Sequence, residues 1–180
     1  MTRGLNAPMF SGVLRALSNH APGAFYVPDL DATAPTGEHA FNALKTLDAA
    51  ARDTVLAAPS PGETKRRGRS VPLRPGWDTG VRVWAMTRVL VAKFSTEGPA
   101  ATLLWTGDMP LVETNTWHDQ FWGDCFCPRH VGTPGVNMLG ELLMAQRTHL
   151  TLRHADPGPD SSSTGNEGRP SPQEPKNSHS

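Results

Sequence analysis

A chain of 180 residues is long enough for one folded domain, and its seventeen lysines and arginines are matched by seventeen acids, so the formal net charge is zero. Without a basic excess no field holds duplex nucleic acid or anionic lipid by charge alone, although a single modified nucleotide stays open as a substrate. No apolar run reaches the roughly eighteen residues of a membrane span, and residues 1–9 lack the apolar stretch of a secretory signal.

Along the chain, Phe25-Tyr26-Val27 is a strand candidate ended by Pro28. A helix begins near Glu38, with Phe41, Leu44 and Leu47 at successive spacings of three. Asp48 is placed to cap a second helix running to Leu56. Ser60-Pro61-Gly62-Glu63 has capping-box spacing with proline first, and opens a short helix to Arg67. Asp78 is the expected cap of the longest helix, where Val83, Met86, Leu90 and Phe94 form one apolar stripe and Lys93 lies at the negative end of the dipole. Trp84, on the same helix, is assigned to the core. Residues 99–105 form a further short helix stopped by Gly107, and Leu111-Val112-Glu113 reads as a strand entering a turn-rich loop. Asn137 caps a last helix that turns Leu139, Leu142 and Leu143 to the core, and residues 149–153 are expected to add an edge strand.

Helices dominate this pattern, which reads as a single α+β domain with a few short strands over residues 9–153. Residues 1–8 are expected to be a flexible N-terminus. Residues 154–180, rich in proline, serine and glycine, read as a disordered tail that cannot bury enough surface to offset chain entropy.

The stretch from 113 to 137 departs furthest from ordinary composition. Trp117, Phe121 and Trp122 lie in a loop beside Glu113, Asp119 and Asp124. Large aromatics among acids are costly unless they cover a pocket or plug a core. His118, Cys125, Cys127 and His130 are four zinc-compatible ligands, but C-x-C lacks the two-residue gap of zinc knuckles and no second CxxC follows, so no metal is expected. The two cysteines are too close for an unstrained disulfide and fit a reducing, cytoplasmic setting. A cysteine nucleophile served by His118 or His130 is disfavoured, since adjacency in sequence says little about geometry. The basic run Lys65-Arg66-Arg67-Gly68-Arg69, followed by Arg74, is a solvated helix face for most of its members, with phosphate contacts as the other use. No G-x-G-x-x-G fingerprint is present, so a bound NAD is unsupported and no cofactor is expected.

Several islands also come in a particular order: Leu17-Ser18-Asn19; Glu38-His39-Ala40-Phe41 with Lys45; Gly68-Arg69, Pro72-Leu73-Arg74 and Trp77; Met86 to Lys93-Phe94; Leu111-Val112-Glu113; Asp119; Trp122-Gly123; and Gly135-Val136-Asn137-Met138-Leu139-Gly140 with Leu143-Met144 and Arg147. In that order the chain resembles the NADAR family, which includes YbiA-like N-glycosidases acting on riboflavin-biosynthesis intermediates. It departs from the family at His20, at Ala34-Pro35, and in a longer, cysteine-bearing loop after Gly123, and these departures leave the glycoside open.

The resemblance implies hydrolysis of an N-glycosidic bond, with Glu38 and Asp119 as the catalytic pair: Asp119 facing the anomeric carbon and Glu38 handling the proton, or the reverse. It implies Trp77 and Trp122 as pocket tryptophans, with core filling as the other use of Trp77. Asn19, Lys45 and Arg69 are the expected holders of ribose hydroxyls and a phosphate, and Gly123 and Asn137 complete the expected binding set. Arg147 is read as a structural partner for an acid such as Glu113, and Gly140, inside a helix, as a point of close backbone approach. The implied partner is a small ribosyl phosphate or ADP-ribose-type compound, with no membrane. The alternatives are ADP-ribose attached to a guanine base in nucleic acid, and a non-catalytic ADP-ribose or NAD sensor.

Overall fold

Phe25 to Val27 do form a strand, β1 (Phe25–Val27), in a computed structural model of the chain that describes residues 10–155. The flexible N-terminus expected over residues 1–8, and residues 156–180 of the tail expected from residue 154, lie outside the described residues. β1 pairs antiparallel with β2 (Ala32–Ala34), Phe25 opposite Ala34 and Val27 opposite Ala32. Alternation buries Phe25 and Val27 and turns Tyr26 outward, where its hydroxyl donates to Asp31 at 2.6 Å across the turn.

α1 (Gly37–Ala43) is capped by Thr36, whose side chain accepts the His39 N–H. His39 is fully enclosed: its Nε2 donates to the Ala58 carbonyl at 3.0 Å, leaving Nδ1 to accept from the Thr36 hydroxyl at 2.8 Å. The apolar series stops early, because Leu44 is buried just past the last turn while Leu47 is 63% exposed. α2 (Ala49–Leu56) and α3 (Pro61–Arg67) start on Asp48 and Ser60, as the spacing predicts. Glu63 does not close its capping box; it grips Arg66 and Arg67.

α4 (Val81–Lys93) is the central element, packing Ala85, Met86, Val89 and Leu90 against β1, α1 and α6. Two expectations about it need correction. Asp78 lies in the short turn Trp77–Thr79, and Gly80 at φ 142° takes the cap position without a side-chain cap. Trp84 is 40% exposed, because two residues from Met86 is about 200° round the helix; its ring is covered by the Arg74 guanidinium at 5.3 Å. α5 (Glu97–Trp105) ends before Gly107 at φ 50°.

α6 (Met138–Ala155) is the longest helix and absorbs residues 149–153, where a strand was expected. Leu139, Leu143, Gln146 and Leu150 are buried at helical spacing, and the Thr148 and Thr151 hydroxyls bond back one turn. Residues 154 and 155 close this helix. The strand expected at Leu111 to Glu113 is also absent, because the Asn137 side chain takes its backbone groups: Oδ1 accepts the Glu113 N–H at 2.9 Å and Nδ2 donates to the Leu111 carbonyl at 2.8 Å. The strand forms one residue later, where β3 (Thr114–Asn115) pairs in parallel with β4 (Asp124–Cys125). Gly140 does mark a close approach: a side chain there would collide with the Leu111 carbonyl and the Asn137 amide. The result is an α+β fold dominated by helices, and among the described residues no helix is long and apolar enough to cross a membrane.

Candidate active site

The N-terminus of α1 faces the segment between α5 and α6, and a cavity of about 210 Å³ opens between them. Its wall carries three carboxyl groups, those of Glu38, Glu113 and Asp119. Asn19, Phe41, Lys45, Trp117 and Trp122 complete most of the lining. A second opening of about 510 Å³, lined by Arg69, shares His20, Lys65, Glu113 and Trp117 with the first.

Each acid is held differently. Glu38 is on the first turn of α1, where a carboxylate is favoured by the helix dipole. One of its oxygens accepts from Asn42 Nδ2 at 2.8 Å, and the other lies 3.6 Å from His20 Nε2. Asp119 Oδ1 accepts from the backbone N–H groups of Phe121 and Trp122, at 3.1 and 2.8 Å, so the carboxylate is also the organiser of its own loop. Asn115 fixes that loop from the other side, donating to the Asp119 carbonyl at 2.7 Å and accepting its N–H at 3.2 Å. Glu113 has its N–H on Asn137, and its carboxyl is pushed up from 4.5 to about 7, first by burial and then by the negative charge of Asp119 and Glu38. Near neutral pH it is therefore about half protonated.

Lys45 and Lys65 share the cavity wall with the acids, and Arg69 lines the adjoining space. Burial lowers the Lys45 ammonium, Glu38 raises it, and Lys65 and Arg69 lower it further, which puts three positive groups within electrostatic reach of one another. Lys45 Nζ lies 3.4 Å from the Gly68 carbonyl and 5.6 Å from the Phe41 ring centroid. Arg66 and Arg67, from the same basic run, are spent on Glu63. On the aromatic side Trp122 meets Phe41 edge-on at 5.4 Å and Phe121 at 4.9 Å, while Trp117 is 57% exposed at the mouth.

Of the residues expected from sequence, Asn19, Glu38, Lys45, Asp119 and Trp122 line the cavity and Arg69 lines its extension. Three of the set stand behind it instead. Trp77 is buried in the core, 5.5 Å from Phe41 between ring centroids. Gly123 passes so close to Glu113 that any side chain there would strike the Glu113 carbonyl. Asn137 holds the Glu113 backbone. Arg147 is not a partner of Glu113; it donates to the Thr106 hydroxyl at 2.8 Å and the Met109 carbonyl at 2.9 Å. Glu113 itself, Asn115 and Lys65 were not singled out as site residues. The density of acids and tryptophans after residue 113 was the available signal for the first of them.

The sequence pattern of the NADAR domain matches residues 12–151, which takes in every group just described. The chain belongs to the NADAR family. Among NADAR relatives, proteins named N-glycosidase YbiA from Shigella boydii serotype 4 and Escherichia coli strain K12 are each 39% identical over 123 residues, 67% of this chain and 72% of theirs. Zea mays has a relative named riboflavin biosynthesis protein PYRR, chloroplastic, 34% identical over 155 residues, which are 77% of this chain and 24% of the maize protein. The NMR structure of E. coli YbiA superposes with a TM-score of 0.69 at 35% identity, covering 83% of this chain and 85% of that one.

Proposed function

We propose that this chain, an N-glycosidase of the NADAR family, hydrolyses the bond between ribose C1 and nitrogen in a phosphorylated ribosyl compound. The observation that carries the reading is one cavity whose wall brings together three carboxyl groups, the Lys45 and Lys65 ammonium groups and the rings of Phe41, Trp117 and Trp122. Breaking a C1–N bond develops positive charge on the sugar ring and negative charge on the leaving nitrogen. Asp119, fixed by two backbone N–H groups, faces the anomeric carbon and balances the charge growing there. Glu38, steadied by Asn42, draws a proton from the attacking water. Glu113, about half of it protonated at neutral pH, passes its proton to the departing nitrogen. Water oxygen joins C1, the C1–N bond breaks, and the products are the free sugar phosphate and the protonated base.

Lys45, Lys65 and Arg69 form the subsite for the phosphate, since each supplies donors that a phosphate oxygen accepts. Trp122 and Trp117 flank the leaving ring, where stacking on indole is worth about 1–3 kcal/mol per base. A second reading, an ADP-ribosyl compound as substrate, draws support from the adjoining space lined by Lys65 and Arg69, which offers room and positive charge for a second phosphate.

The test incubates the protein, and its Asp119→Asn and Glu38→Gln variants, with a phosphoribosyl-aminopyrimidine, NAD and an ADP-ribosylated guanine oligonucleotide. Mass spectrometry follows the released base. Release by the parent chain and its loss in both variants is expected; a parent that cleaves none of the three overturns the proposal.

A further inference from the structure

We infer that His118, Cys125, Cys127 and His130 form a tetrahedral zinc site that ties down the Asp119 loop. Spacing alone does not commend them, because C-x-C is not a knuckle motif. The fold does: one ligand atom from each residue lies within 4.8 Å of every other. Cys127 Sγ is 3.2 Å from His118 Nδ1 and 3.5 Å from His130 Nδ1. Zinc–sulfur and zinc–nitrogen bonds of ordinary length give a tetrahedron whose edges are about 3.3–3.8 Å, so two edges are already near their bonded length. The remaining slack of about 1 Å is within reach of side-chain rotation. The two imidazoles meet at 85° with centroids 5.3 Å apart, so their Nδ1 atoms converge on the sulfur without the rings stacking.

Two further observations separate this cluster from an accidental gathering. Both cysteines are buried and neither is in a disulfide. His118 sits at φ 71°, a left-handed conformation that a non-glycine residue adopts at a cost, and from there its ring is turned onto Cys127. The surroundings also need a fastener. Between Asn115 and Met138 the described backbone holds only the two-residue strand β4 and the turn Pro128–His130 as regular structure, and a loop of that length seldom keeps one shape unaided.

The donor set selects the ion. Two thiolates and two imidazoles suit zinc, and with two thiolates the site is neutral overall. A Rieske-type two-iron cluster would set its histidine pair and its cysteine pair on different irons, whereas here Cys127 touches both histidines. The site supplies no open position, so its role is structural: His118 precedes Asp119 directly, and the ion anchors the segment bearing Trp117, Asp119 and Trp122 to β4.

Elemental analysis of the full chain, expressed with zinc supplied, is expected to find about one zinc per chain. Replacement by cobalt(II) should give the thiolate-to-cobalt absorption in the near ultraviolet and the strong visible bands of a tetrahedral centre. Cys125→Ser with Cys127→Ser should abolish both. Should that double variant fail to fold, His130→Ala gives the reading on a folded chain, with zinc affinity lowered by at least about 100-fold, more than loss of an outer partner costs. A folded parent protein without stoichiometric zinc and without the cobalt–thiolate band overturns the inference. So does a metal content that persists unchanged in the cysteine variant, or iron or copper found in zinc's place. None of these readings depends on catalysis, so they fail or succeed separately from the proposed hydrolysis.

Discussion

Replacing Glu113 with glutamine tests the site and its energetics together. Burial and the neighbouring acids raise this carboxyl from 4.5 to about 7, so the folded chain binds the proton more tightly than the unfolded chain does. By linkage, the cost is absent below about pH 4.5, grows as pH rises towards 7, and is complete above it. With allowance for residual solvent contact, the rise amounts to roughly 2–3 kcal/mol of stability withheld at pH 8.5. Glu113→Gln keeps the shape and removes the charge. Thermal unfolding should therefore show a gain of roughly 4–12 °C at pH 8.5 and little change at pH 4. Activity should move the other way: kcat falls by about 10²–10⁴, and the parent's decline in kcat/KM above pH about 7 disappears in the variant. A variant that keeps full kcat, or that still loses activity through pH 7, would refute Glu113 as the proton donor. If its stability gain is the same at both pH values, the electrostatic account of the site is wrong.

Lys45→Met should raise KM for a phosphorylated substrate by about 10–100-fold while leaving a dephosphorylated analogue untouched, as steady-state kinetics on the two compounds would show. Lys93, buried in α4 with Nζ 2.7 Å from the Ser18 carbonyl, is pushed down to about 8 by burial. The folded chain there holds its proton less tightly, so stability should climb between about pH 8 and 10.5; Lys93→Met should flatten that climb of about 3 kcal/mol in denaturant titrations at the two pH values. Asn137→Ala removes two hydrogen bonds from the backbone at Leu111 and Glu113 and places alanine at φ 55°, a loss of about 2–4 kcal/mol by chemical denaturation.

What was legible in the sequence was whatever local chemistry decides. The Asp48 and Ser60 caps, the strand at Phe25 to Val27 and the stop at Gly107 each depend on a few consecutive residues, and each appears as read. The errors share a different cause. Residues 149–153 have the β-branched and apolar content of a strand, but they extend a helix already nucleated upstream and already anchored through Leu143. Leu111 to Glu113 looks like a strand until a side chain 26 residues away claims its hydrogen bonds. Asp78 resembles a cap, yet a glycine-flanked turn intervenes before the helix. In the site, Glu38 and Asp119 were found through the family pattern, while Glu113 gained its importance only from being enclosed with them, and enclosure is a property of tertiary packing that no local pattern carries.

The acids also constrain how this chain can come to work. One rides on a short helix early in the domain and two on a connecting segment more than 70 residues later, steadied by Asn137 at the entrance to the last helix. No contiguous stretch holds all three carboxyl groups, so on the proposed mechanism a chain still emerging from the ribosome has no assembled site until the segment leading into its final helix has docked.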